Sequence, residues 1–238
     1  GPAMYRCYDR AMYTLYIANK NYSSWSLRPW SLLTTLGIPF DEKLVPFSEG
    51  GSHGKFRAFS PTGKVPCLLD GGTVVWDSLA IVEYLAERHA GVWPADPLAR
   101  AWARCAAAEM HSGFGVLRNE CSMTVGLRLE LHRVSDGLRS ELARLEELWG
   151  EGLARFGGPF LAGAAFTAVD AFFVPVAFRV RSYGLPLGTV AAAYAQRLLE
   201  LPSTRDWEAA ALREPWREPG HDAEILAAGR VIEDRRAP

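Results

Sequence analysis

The sequence predicts an α/β unit followed by an all-α unit. Three observations carry that expectation. Up to about residue 90, apolar runs of strand length and segments of helical spacing follow one another in the order β-α-β-α-β-β-α. The stretch Gly91-Val92-Trp93-Pro94-Ala95-Asp96-Pro97 then interrupts the pattern with two prolines. Beyond it, the periodic segments all read as helix. The expected domains are therefore 12–90 and 98–215. Residues 1–11 read as a leader that opens on a protease-cleavage scar, Gly1-Pro2, and 216–238 as a C-terminal extension that wraps the surface or frays.

The elements follow from local chemistry. Tyr13–Ala18 is the first strand, and the polar run Asn19–Ser26 is a loop. A helix then passes through Leu27, Trp30, Leu33 and Thr34 to a stop at Gly37, with Pro29 tolerated in its first turn. Phe40–Phe47 is the second strand, and a variable segment lies around Ser52–Phe59. Ser60-Pro61-Thr62-Gly63 is a turn. Val65–Leu69 is a strand that begins beside a proline, Gly71-Gly72 a hairpin connection, and Thr73–Trp76 the return strand. Asp77-Ser78 opens a helix over Leu79–Arg88 with Leu79, Ile81, Val82 and Leu85 on its apolar side. After the proline break, Leu98–Arg118 and Ser135–Phe156 are helices, and 119–134 is a loop or a continuation. Thr167 and Asp170 have capping-box spacing ahead of a helix that Pro175 should kink, with Phe166 as a staple toward Ala171. Thr189–Glu200 and Ser203–Arg213 are the last two helices.

Composition narrows the function. A formal charge of −1 over 238 residues lacks the basic balance that general nucleic-acid binding needs. With 49% hydrophobic and 22% charged residues the chain reads as an ordinary soluble protein, and no apolar run reaches the roughly 18 residues of a membrane span. No signal pattern opens the chain. Cys7, Cys67, Cys105 and Cys121 form no CxxC pair, which fits a reduced, cytoplasmic compartment; Cys67 reads as a buried structural thiol. Histidine is sparse and never at ligand spacing, so no metal is expected.

Two stretches then carry a resemblance. Phe59–His89, with its Val65-Pro66 step and its Asp77-Ser78 pair at a helix start, resembles the second half of the thioredoxin-like domain of glutathione transferases. Tyr22-Ser23-Ser24-Trp25-Ser26-Leu27-Arg28 resembles the Ser-Ser-Cys-x-x-Arg loop of the zeta class, the maleylacetoacetate isomerase relatives, with Trp25 in place of Cys. It is closer still to a bacterial glutathione-transferase-like group that reads Asn-Lys-Asn-Tyr-Ser-Ser-Trp-Ser-Leu-Arg-Pro-Trp, as residues 19–30 do here. The resemblance spans roughly residues 12–215 and implies a thioredoxin-like βαβαββα domain ahead of an all-helical glutathione-transferase C-terminal domain. It implies glutathione as cosubstrate and a homodimer. In the family the Thr-x-x-Asp box opens the buried core helix, a structural role.

By that resemblance Ser23 is the hydroxyl that activates the thiol, Ser24 an auxiliary and Arg28 a nearby charge. Capping of the first helix is the competing role for these serines, and Tyr22 is a competing hydroxyl. Val65, Pro66, Asp77 and Ser78 would hold glutathione. Lys64 would meet its glycine carboxylate or is simply a solvated turn lysine. The loss of Cys at position 25 argues against thiol exchange. The second substrate would lie against Leu98–Arg118, where His111, Phe114 and Arg118 share one helical face, with Trp25 nearby. Arg179 and Arg181 are further carboxylate binders; convergence of several of these arginines would imply an acidic electrophile. The expected activity is conjugation of the thiol to a small electrophile. A glutathione-dependent cis–trans isomerase of a maleyl-type diacid and a non-catalytic binding module stay open, as does another low-molecular-weight thiol in place of glutathione.

Overall fold

The computed structural model describes residues 13–238, so the leader expected over 1–11 lies outside the described residues. The chain opens with β1 (Tyr13–Ile17), α1 (Ser24–Leu36) and β2 (Phe40–Leu44). A single helical turn, α2 (His53–Phe56), falls in the variable segment. The hairpin β3 (Cys67–Asp70) and β4 (Thr73–Val75) and the helix α3 (Ser78–Ala86) follow. The four strands form one sheet in the order β2-β1-β3-β4, with β1 parallel to β2 and antiparallel to β3. Tyr13, Leu15 and Ile17 alternate into the core, as a half-buried strand must, and Leu15 lies opposite the buried Leu68. Gly37 ends α1 in the left-handed region at φ 69°, where its N–H reaches the Thr34 carbonyl.

Several boundaries differ from the expected ones. The strand after the turn begins at Cys67, not Val65: Pro66 has no N–H to give to a ladder, so pairing starts after it. The Val65-Pro66 peptide is cis. The loop ahead of α1 is shorter than expected, because Ser24, Trp25 and Ser26 already belong to the helix.

The second half is built on helices α4 (Pro97–Ser112), α5 (Gly115–Glu120), α6 (Asp136–Phe156), α7 (Ala168–Tyr183), α8 (Thr189–Glu200), α9 (Pro202–Arg213) and α10 (Pro219–Ala228). Asp96 caps α4 by accepting from the Ala99 N–H at 3.1 Å, and Ser135 caps α6 by accepting from Leu138 at 3.1 Å. Helix α7 is buried along most of its length, runs on through Pro175, and packs against α1, α4 and α8. Asp170 holds its start: the fully buried carboxylate accepts from the N–H groups of Leu161 and Thr167 at 3.0 Å each and from the Tyr194 hydroxyl at 2.6 Å. Burial pushes this carboxyl up to about 6 against those three donors. Phe166 packs edge-on to Phe160.

Two expectations fail in this half, and of the two alternatives for the tail the structure takes the wrapped one. The helix expected over Leu98–Arg118 is two helices, because the chain turns at Gly113, whose Cα lies so close to the Glu109 carbonyl that a Cβ would sit 2.7 Å from it. The half is not wholly helical: β5 (Leu127–Leu131) pairs antiparallel with β6 (Gly229–Asp234), burying Leu127 and Leu129 while Glu130 faces solvent. The tail does not fray. The Glu214 carboxylate accepts from the N–H groups of Lys20 at 2.8 Å and Asn21 at 3.0 Å, and the Tyr22 hydroxyl donates to Asp222 at 2.8 Å. Among the described residues no helix is long and apolar enough to cross a membrane.

Candidate active site

A cleft of about 1000 Å³ opens between the sheet and the helices. Its walls come from widely separated places in the chain. Ser23, Ser24 and Trp25 lie at the start of α1. Lys64, Val65 and Pro66 precede β3, and Asp77 precedes α3. His111, Arg118 and Arg179 come from α4, α5 and α7, and Glu218, His221 and Glu224 from the tail. The convergence at α1 has a physical cause: strand β1 must turn into a helix whose first N–H groups have no intrahelical acceptors, which leaves a partly positive, polar corner at the sheet edge.

Ser23 occupies the N-cap position of α1, yet its hydroxyl makes no capping bond. It lies 2.6 Å from the hydroxyl of the fully buried Ser26, which in turn accepts from the Ala18 N–H at 3.3 Å. Ser24 accepts from Arg179 Nη2 at 3.4 Å. Tyr22 faces the same cleft, but its hydroxyl is spent on Asp222. Burial and that carboxylate push its pKa up to about 12.

Trp25 is the centre of a cationic cluster. The Arg28 guanidinium sits 3.8 Å above its ring, Arg118 lies 5.7 Å from it, and His111 packs edge-on at 5.3 Å. Arg28 itself does not line the cleft. It is buried behind Trp25, where Nη1 donates to the Ser78 hydroxyl at 3.4 Å. Burial, with Arg179 and Arg118 nearby, lowers its pKa to about 9. Burial likewise lowers that of Arg179 to about 10. Arg179 Nε donates to the Cys121 carbonyl at 2.8 Å. His111 Nε2 is 3.4 Å from the Asp77 carboxylate; burial lowers its pKa despite that neighbour, with Arg28 and Arg118 acting the same way.

Of the expected site residues, the cleft thus gathers Ser23, Ser24, Trp25, Lys64, Val65, Pro66, Asp77, His111 and Arg118. Four expected placements differ. Arg28, expected to meet the second substrate, is buried behind Trp25 instead. Ser78 is fully buried and turned to Arg28, because Asp77, whose side chain accepts from the Leu79 N–H at 3.1 Å, takes the capping position at the cleft edge. Phe114, in the left-handed region at φ 53°, packs in the core, so the shared face with His111 and Arg118 does not exist. Arg181 points away to Glu208 at 2.8 Å. The tail residues of the cleft wall, and the part played by Ser26, went unread. The spacing of Glu218 and His221 at a proline helix start was their only local signal.

Comparison with known proteins agrees with this architecture. Residues 22–88 match the family model "Glutathione S-transferase, N-terminal domain". A glutathione transferase homolog from Burkholderia, solved with bound glutathione, superposes with a TM-score of 0.64 over 84% of this chain and 97% of its own, at 23% identity. The glutathione S-transferase-like protein OpS6 of Beauveria bassiana is 25% identical over 68% of this chain and 76% of its own. A protein named probable maleylacetoacetate isomerase in Caenorhabditis elegans is 34% identical over 44% of this chain. The chain spans about half of that relative's length, 49%. Residues 22–88 are thus similar to the N-terminal domain of glutathione S-transferases, and the described chain shares the fold of the solved glutathione transferase homolog.

Proposed function

We propose that the protein is a glutathione-dependent transferase that binds the peptide along Lys64, Val65, Pro66 and Asp77 and activates its thiol through Ser23. The observation that carries this reading is the Ser23–Ser26 pair. Ser26 accepts from the Ala18 N–H, and either hydroxyl can donate across the pair; with Ser26 as the donor, the Ser23 hydrogen is left for a sulfur in the cleft. An unperturbed thiol has a pKa near ~8.5, and lowering it by two units requires about 2.7 kcal/mol. A hydrogen bond to a charged group supplies about 1.5–3 kcal/mol and a helix N-terminus about 0.3–1 more. Ser23 and the start of α1 suffice together. Tyr22 is a poorer candidate, since its hydrogen is already given to Asp222. Ser24 is an auxiliary through Arg179.

The second substrate lies against Trp25, His111, Arg118 and Arg179, and those cations favour an electrophile with a carboxylate. Arg118 and Arg179 in the cleft, without a carboxylate within ion-pair distance among the described residues, also favour a second reading: cis–trans isomerisation of a maleyl-type diacid. There the thiolate adds to the double bond, the bond rotates and the thiolate leaves. Turnover without loss of glutathione separates the two. A non-catalytic binding module is the outcome if Ser23→Ala changes no activity, and the use of another small thiol if glutathione alone fails to bind. The family reading also includes a homodimer, which a monomeric mass in light scattering would contradict. The central test is Ser23→Ala: we expect kcat/KM to fall roughly hundredfold with glutathione binding retained, and an unchanged rate overturns the assignment.

A further inference from the structure

The tail brings to the cleft a titratable pair that the reading above does not use. His221 Nδ1 lies 2.5 Å from Glu218 Oε2. Glu218 is nearly buried; burial alone would raise its pKa, but the N–H groups of Gly220 and His221 and the imidazole hold it below the ordinary carboxylate range. It is therefore an acceptor, which puts the hydrogen of neutral His221 on Nδ1 and the lone pair on Nε2. No group among the described residues hydrogen-bonds Nε2, and the imidazole lines the cleft. The ring is held flat against Tyr22 at 5.1 Å and Phe47 at 4.6 Å, and Tyr22 adjoins Ser23 in the chain. The charged and titratable groups around it are Glu218, Asp222 and Glu224 on the tail, Tyr22 ahead of α1, and Arg236, which is tied to Asp222 at 3.1 Å.

We propose that His221 is the base that takes the thiol proton, with Glu218 as its positioning residue; this rests on the reading of a thiol bound beside Ser23. The S–H bond breaks as the Nε2–H bond forms, and the electron pair stays on sulfur, where Ser23 donates to it. Glu218 balances the imidazolium. After sulfur attacks, the proton leaves Nε2 for the atom that received the electron pair: the leaving group in a substitution, the neighbouring carbon in an addition. His221 is neutral again. Glu218 also caps α10, and that capping fixes the carboxylate before any ligand enters.

The test is a pH titration of bound glutathione, followed by the ultraviolet absorbance of the thiolate, on wild type, His221→Phe, Glu218→Gln and Ser23→Ala. His221→Phe keeps an aromatic ring against Tyr22 and Phe47 and removes the base. We expect thiolate to form about one pH unit or more higher in His221→Phe, a smaller shift in the same direction in Glu218→Gln, and a fall in kcat/KM toward an activated aryl halide of roughly hundredfold in His221→Phe. A His221→Phe titration that overlays the wild type while Ser23→Ala shifts overturns the role of His221 and leaves the thiol reading standing. A wild type that forms no thiolate below the pKa of the free thiol overturns both.

Discussion

Two sets of arginines among the described residues stand in contrast. On the outside of the helical half, Arg144 meets Glu109 at 2.8 and 2.9 Å, Arg181 meets Glu208 at 2.8 and 3.1 Å, and Arg230 meets Glu130 at 2.9 Å. Around the cleft, Arg28, Arg118 and Arg179 have no carboxylate within ion-pair distance among the described residues, although Arg28 is only 1% and Arg179 4% exposed. They rest on the Trp25 and Phe172 rings, on the Cys121 and Gly113 carbonyls and on serine hydroxyls. The same side chain responds oppositely in the two settings. Hydrogen bonding to Glu109 raises the pKa of Arg144, whereas burial lowers those of Arg28 and Arg179. A buried cation without a partner costs several kcal/mol, so a fold keeps one mainly where an arriving anion will use it.

That contrast can be broken or sharpened by substitution. The largest effect on stability should come from removing a carboxylate that is fully engaged. Glu214→Ala strips the acceptor from the Lys20 and Asn21 N–H groups and should destabilise by about 3 kcal/mol in denaturant unfolding. A loss under about 1 kcal/mol would mean that the tail is not fastened there. Arg179→Met should act in the other direction. Replacing a buried cation that has no carboxylate partner with an apolar chain of similar length should raise stability by about 1 kcal/mol, and should abolish the rise in Tm that a small dicarboxylate gives the wild type. Arg179→Met that destabilises would place Arg179 with the structural arginines. Arg181→Ala, on the partnered side, should cost about 0.5–1 kcal/mol and leave the dicarboxylate effect intact.

The smallest effect is a pH dependence at His111. Its folded pKa lies below the ordinary 6.5, so the unfolded chain binds the proton more readily. Its contribution to stability is therefore complete above about pH 6.5 and declines as pH falls below it. Unfolding of His111→Gln followed between pH 7.5 and about pH 5 should lack that part of the decline. An identical slope in both proteins would contradict the effect.

The sheet half was legible because each of its elements carries its own punctuation: Gly37 after α1, Pro66 before β3, Gly71-Gly72 in the hairpin and Asp77 before α3. Ser135, Gly157 and the Asp170 arm of the capping box did the same for α6 and α7. Pairing between distant segments was not legible. The alternation Leu127-Arg128-Leu129-Glu130-Leu131 has a strand period, but its partner begins at Gly229. Tyr22 and Asp222 are 200 residues apart in the chain. The site was read in proportion. Ser23, Ser24, Trp25 and the Lys64–Pro66 step are legible only through the resemblance of their runs to those of glutathione transferases. Periodicity could not tell Arg179, which faces the cleft, from Arg181 two positions on, which faces Glu208. Helical spacing also made His111, Phe114 and Arg118 one face, which the turn at Gly113 undoes.

The most direct measurement is a pair of calorimetric titrations, glutathione and S-methylglutathione, on the wild type and on Ser23→Ala. The account predicts that glutathione binds the wild type with a Kd between micromolar and millimolar. It also predicts that methylation of the sulfur weakens binding to the wild type by more than it weakens binding to Ser23→Ala, because only the wild type has a hydroxyl for the sulfur to lose. Equal weakening in both proteins, or no binding of glutathione to the wild type, would contradict it.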